Sequence, residues 1–485
     1  MNFRAPGRVF RVMNCPSHTS ACSSFHATRF SRRHLIKVGG LGMLGLTLPK
    51  LLQGEGIRDL KAGPRNLPKA RAKSVIFLYQ FGGPSHIDMF DMKPDAPEAI
   101  RGPYKPIGSK ADGIQVSEKM PRVAQIMDKV TLVRSVHHTM KNHNSASYYA
   151  LTGHEPPSDD QRLRDSLELF PAYGSIVDKL APVGGEMPTF VAYPHVIADG
   201  SITPGQNASF LGKAHDPLFI AQDPNSSNFS LPELSLPANL SIERLEARRE
   251  LQKMIDAQSH LLDHSAAKGL DDYYARALAM LNSSRLRNAF NLAAEPAKVR
   301  DGYGRTTYGQ GCLLARRLVE GGAKVVTVYF SENIGGQSTE SGGWDTHGFN
   351  NTRMFPIIEK YHLPMTEQTL PTLLDDLDER GLLDTTLVVW MGEFGRTPRI
   401  NGNVSRDHWP DCYTALLAGG GVKRGFVYGE SDKTGSYPAK DPVRPDDLAA
   451  TIYYLLGIDP HTEIKNSVNR PVLISDGKPV MGILA

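Results

Sequence analysis

The chain has 485 residues, 40% of them hydrophobic and 22% charged, enough to build a substantial core and too apolar for disorder to be the default. Its formal net charge of +4 is unevenly spread, because residues 1–73 hold 14 Lys and Arg against 2 acidic residues. The rest is therefore net acidic, which excludes the concentrated basic face that a nucleic-acid partner needs.

The basic start has a defined form. Ser31-Arg32-Arg33-His34-Leu35-Ile36-Lys37 precedes a glycine-rich apolar run from Val38 to Leu48, the pattern of a twin-arginine export signal read by a receptor. The run is too short and too weakly apolar to leave a stable membrane span in the mature protein. We expect residues 1–54, with an end that extends at most to 72, to be signal and linker. Residues 73–485 are expected to form a single domain, located in the periplasm or outside the cell. Cys15 and Cys22 fall in the export segment, and Cys312 and Cys412 lack metal spacing, so two buried free thiols are expected rather than a disulfide.

The first folded element is expected at Ser74–Tyr79, an unbroken apolar run that suits a strand covered on both faces. Gly82-Gly83-Pro84 ends it, and His86 and Asp88 follow in alternation. A second strand spans Val130 to Val136, after which His137, His138 and His143 arrive within seven residues. Residues 156–237, rich in Pro, Gly, Asn and Asp, read as loops and covering segments. Leu251, Met254, Ile255, Gln258 and Leu261 recur at helical spacing, and a further helix is expected from about Asp272 to Leu286; together they form a helical insertion over about 240–290.

A repeating rhythm then sets in. A helix over Gly311–Glu320 stops at Gly321-Gly322 and is followed by the strand Lys324–Tyr329; a helix over Thr369–Arg380 stops at Gly381 and is followed by Thr386–Met391. Helix, glycine and apolar strand in that order imply an α/β domain with a mainly parallel central sheet and helices on both faces. A strand at Ala415–Ala418 and a helix opened by Pro445-Asp446-Asp447 complete the pattern.

Ionisable residues gather where these strands stop. Asp345 and His347 bracket one small residue after a glycine pair; Glu393, Arg396, Arg399, Arg406, Asp407 and His408 follow the strand that ends at Met391. Ligands in open α/β sheets sit beyond the carboxyl ends of the strands. Carboxylate oxygen and imidazole nitrogen together are what divalent zinc or manganese takes, with calcium a further candidate. We therefore expect Asp345, His347, Glu393 and His408 to converge as metal ligands. His143 faces them as a ligand or nucleophile, and Arg396 or Arg399 holds an anionic group. His86, Asp88 and Asp407 are candidates for additional or supporting contacts.

The stretches FGGPSHIDMFDMKP, NHNSASYYALTG, GGWDTHGF, VVWMGEFGRTP and RDHWP, with the twin-arginine start, resemble the exported bacterial family of unknown function numbered fifteen-oh-one, grouped with the alkaline phosphatase and sulfatase superfamily. The resemblance covers nearly the whole chain after about residue 70. Counting back from Leu151-Thr152-Gly153 places His143 where sulfatases carry their modified cysteine. Glu393-Phe394-Gly395 stands in place of the superfamily's Asp-His-Gly or Asp-Asn-Gly, and Gln80-Phe81 in place of its first metal-binding aspartate. Asp345, His347 and His408 resemble its remaining ligands, which implies one metal rather than two. The resemblance implies a metal-dependent hydrolase of sulfate or phosphate esters, including sulfated or phosphorylated glycans. The alternative is an inactive sulfatase-like module that binds envelope or extracellular polysaccharide.

Overall fold

A computed structural model describes residues 68–230, 282–335, 342–348 and 353–485, with single positions at 244, 247, 279 and 280. The export signal and most of the helical insertion expected over 240–290 lie outside the described residues. The end of that insertion is described, as a helix at Ser284–Phe290.

An eight-stranded sheet organises the molecule. Its strands are β1 (Ser74–Tyr79), β2 (Val130–Val136), β3 (Phe190–Tyr193), β4 (Leu218–Phe219), β5 (Val325–Tyr329), β6 (Thr386–Met391), β7 (Tyr413–Ala418) and β8 (Phe426–Tyr428). They lie in the order β8-β2-β7-β6-β1-β5-β3-β4. At its centre β1 pairs in parallel with β6, from Ser74 opposite Thr386 to Tyr79 opposite Met391, and with β5 on its other side. Only β7 runs against its neighbours, pairing antiparallel with β6 and β2. The five strands read from the sequence thus belong to one mainly parallel sheet, and all but β7 end at the same edge.

The continuous apolar runs of β1 and β6 follow from burial on both faces. Ile76, Leu78, Val388 and Trp390 pack with α3 (Thr307–Gly321) and α4 (Leu363–Glu379). Their alternates Val75, Phe77, Tyr79 and Val389 pack with α2 (Tyr173–Leu180) and α5 (Pro445–Leu455). Each such side chain contributes ~1.5–3 kcal/mol when fully buried. Cys312 and Cys412 are buried free thiols.

Two readings are corrected. Residues 156–237 are not only loops, because they contain α2 and the sheet strand β3, which extends the parallel set beyond β5. A four-residue strand among prolines and glycines is too short to show a period. His143 does not lie in a strand-end loop; it opens α1 (His143–Thr152), in which every residue is buried. A helix buried all round presents no amphipathic stripe.

Candidate metal centre

Loops at the carboxyl edge of the sheet carry the site. After β1 the chain turns through Gly82 at φ +104°, where a Cβ would meet the backbone nitrogens of Trp344 and Asp345 at 2.5 and 2.4 Å. Only glycine lets the two segments approach so closely. Trp344 N donates to Phe81 O at 2.9 Å, which docks the short strand Gly342–Asp345 beside β1. Asp345 and His347 alternate along extended backbone, so both project to one side. Across from them, Arg396 of the strand Gly395–Arg396 is paired antiparallel with His408 of His408–Trp409. Residues directly opposite share a face, and both reach Asp345 Oδ1 at 2.9 Å.

Four donors meet there. His143, Asp345, His347 and His408 each offer one ligand atom, and these atoms lie within 4.8 Å of one another. Asp345 Oδ1 is 2.6 Å from His347 Nε2, 2.9 Å from His408 Nε2 and 3.4 Å from His143 Nε2. His347 Nε2 and His408 Nε2 are themselves 2.8 Å apart.

What fixes the rings lies behind them. His143 Nδ1 is 2.7 Å from Glu393 Oε1, His347 Nδ1 is 3.1 Å from Asp407 Oδ1, and His408 Nδ1 is 2.9 Å from Lys141 O. Each of those partners is an acceptor, so each Nδ1 donates to it and each Nε2 is turned inward. Glu393 is fully buried and also accepts from Gly82 N at 2.8 Å and Tyr79 Oη at 3.1 Å. His138 donates to Glu393 O at 2.7 Å while its Nδ1 accepts from Met140 N, and burial lowers its pKa to about 4.

Burial opposes charge on His143, but Asp345 and Glu393 outweigh it and raise the imidazole to about 9. Burial and the neighbouring His143 lower His408 to about 3. Burial alone would raise Asp345, yet Arg396 and His143 hold its carboxyl well below the usual range. The buried His143 Nε2 has no hydrogen-bond partner. Three inward imidazole nitrogens around an ionised carboxylate are a donor set that fits a divalent cation, whose binding displaces the proton from His143.

The residues singled out from the sequence thus divide. His143, Asp345, His347 and His408 come together. Glu393 sits behind His143, with its oxygens bonded to His143, Gly82 and Tyr79, and is not one of the four grouped donors. Asp407 sits behind His347. Arg396 lies buried beside Asp345, where its guanidinium donates to Gly82 O, to Gly83 O at 2.8 Å, to Trp344 O at 3.0 Å and to Asp345; it is closed to a substrate anion. Asp88 is not at the site, because it is paired with Arg406 at 2.7 and 3.0 Å, both side chains being fully buried. His86 is engaged elsewhere as well, its Nε2 lying 2.9 Å from Gly435 O. Sequence reasoning missed Tyr79, His138 and the Lys141 carbonyl; a strand residue, a second histidine and a backbone oxygen carry no motif of their own.

A mainly parallel α/β sheet with a three-histidine, one-aspartate cluster at the carboxyl ends of its strands defines the class of protein. The model of the family described as Protein of unknown function (DUF1501) matches residues 72–484, and the chain belongs to that family. No curated protein matches it. Among solved structures it is similar to a sulfatase from Pseudoalteromonas sp., at 14% identity over 83% of this chain and 70% of that one, with a TM-score of 0.35. A protein in the alkaline phosphatase superfamily from Vibrio parahaemolyticus matches at 12% identity over 81% and 71%, with a TM-score of 0.35. A mutant of the alkaline phosphatase PafA matches at 9% identity over 86% and 100%, with a TM-score of 0.41.

Proposed function

We propose that the chain is an exported metal-dependent hydrolase of sulfate or phosphate esters, with the metal held by His143, Asp345, His347 and His408. The observation that carries this reading is the 2.8 Å approach of His347 Nε2 to His408 Nε2, both facing Asp345 Oδ1. With both Nδ1 atoms committed as donors, two lone pairs and a carboxylate oxygen crowd one point, which a cation between them relieves. Three nitrogens and one oxygen suit zinc or manganese better than calcium, which prefers oxygen alone.

When bound, a divalent cation supplies Lewis acidity to an ester oxygen. The chain's own residues hold the geometry. Glu393 orients His143, Asp407 orients His347, and Arg396 keeps Asp345 ionised. The ester class, sulfated or phosphorylated glycans included, rests on the family resemblance of the motifs. The test is a panel of aryl sulfates and aryl phosphates with zinc- and manganese-loaded protein. Turnover abolished by chelation supports the reading, and no turnover with any loaded form counts against it.

One observation favours a second reading, a glycan-binding module without turnover. His143, which by the motif resemblance stands at the nucleophile position of sulfatases, turns its two nitrogens to Glu393 and Asp345. Tight binding of a sulfated polysaccharide with no hydrolysis would select it. Export through the twin-arginine route is part of the proposal and rests on Arg32-Arg33; replacing both by Lys is expected to retain the protein in the cytoplasm, and unchanged export contradicts it.

A further inference from the structure

The arginines near the four donors differ sharply in what they have left to offer. Arg396 and Arg406 are buried, with their guanidinium groups bonded to backbone carbonyls and to Asp345 or Asp88. Arg353 is exposed, and among the described residues its guanidinium bonds to no carboxylate, carbonyl or ring. An unpaired surface arginine is ordinary in itself. What sets Arg353 apart is its register, because it forms an isolated antiparallel bridge with His347.

Residues directly opposite in an antiparallel pair send their side chains to the same face, with Cβ atoms about 4.5–5.5 Å apart. The face in question is the one from which His347 Nε2 reaches Asp345 Oδ1 at 2.6 Å. Arg353 is therefore set on the face of the donor cluster, and among the described residues its five N–H donors are uncommitted, in the planar fork that matches two oxygens of a tetrahedral oxyanion. We propose that Arg353 is the oxyanion anchor of the metal centre, binding the sulfate or phosphate group of the substrate. This assignment rests on the metal-hydrolase reading and gives it a residue that selects the anion. It also moves the anchoring role from Arg396, whose donors are spent on Gly82, Gly83, Trp344 and Asp345, to an exposed arginine set opposite a donor; Arg399 is exposed as well, but among the described residues no bridge pairs it with any of the four.

The test uses the whole protein loaded with zinc or manganese. Metal content is measured first, and inorganic phosphate and sulfate are then titrated calorimetrically into wild type, Arg353→Ala and Arg353→Lys. Metal content is expected to be equal in all three, since Arg353 is not a donor. Affinity for the preferred anion is expected to fall about tenfold or more in Arg353→Ala, the scale of a lost charge-assisted hydrogen bond. Arg353→Lys is expected to fall between, because an ammonium keeps the charge and loses the fork. Unchanged anion affinity in a fully metal-loaded Arg353→Ala overturns the anchor and leaves the metal-hydrolase reading standing. Metal-loaded wild type that binds neither anion also overturns the anchor alone. Wild type that takes up no metal overturns both.

Discussion

His143 Nδ1 lies 2.7 Å from Glu393 Oε1, and the Glu393 carboxylate is wholly buried. A carboxylate in that place does not touch the candidate metal position; it fixes which nitrogen of His143 faces inward. The same relationship recurs between His347 and Asp407 and between His408 and the Lys141 carbonyl. Three imidazoles turned with Nε2 inward by three different acceptors are what an incidental histidine cluster lacks.

Replacing Glu393 by Ala is therefore expected to lower metal affinity by about 10- to 100-fold, the range for partners that orient a ligating histidine. Competition with a chelating dye measures it. Glu393→Gln, which can still accept from Nδ1, is expected to lose less. Equal affinity in wild type and Glu393→Ala would show that the contact does not act on the centre.

Asp88 and Arg406 form a fully buried ion pair away from the four donors. Asp88→Ala leaves the guanidinium uncompensated and is expected to cost about 3–5 kcal/mol of stability. Its metal stoichiometry is expected to match wild type under conditions where it remains folded. Denaturant unfolding with metal analysis of the same sample checks both, and a well-folded Asp88→Ala that has lost its metal would return Asp88 to the ligand set.

The strands β1, β2, β5 and β6 were legible because burial on both faces writes itself as an unbroken apolar run, α3 and α4 because glycines stop them ahead of such a run, and α5 because Pro445-Asp446-Asp447 opens it. β3 and α1 were not, one being too short to show a period and the other buried all round. In the site, Asp345, His347 and His408 were visible from their places after strands and glycines. Glu393 was visible as important but not in its position, because one carboxylate oxygen more or less than an imidazole away from a common point has no sequence signature. Arg396 was misread for the same reason: a guanidinium bonded to four backbone carbonyls looks, in sequence, like one free to bind an anion.

His362 gives a prediction about acid stability. Its ring is fully buried against Trp344 and Phe330, and burial lowers its pKa to about 4. The unfolded chain protonates this residue near the ordinary histidine value of ~6.5, so between that pH and 4 the unfolded state binds more protons. Stability is then fully present above ~6.5 and is lost as pH falls, by about 2 kcal/mol from this residue at pH 5. His362→Phe is expected to flatten that limb relative to its own value at pH 7.5. Urea unfolding at the two pH values measures the slope, and parallel pH dependences for variant and wild type would contradict it.

The most direct test of the account is the metal content of purified protein after stripping with chelator and reloading with zinc or manganese, in wild type and in His408→Ala. Wild type is expected to bind about one equivalent and to gain ~2.7 kcal/mol of stability when free metal stands at about a hundred times Kd. His408→Ala is expected to fold as the stripped wild type does and to show neither the equivalent nor the gain. A wild type that retains no metal and is not stabilised by either ion, or a His408→Ala that keeps a full equivalent, would contradict the claim that His143, Asp345, His347 and His408 form a metal centre.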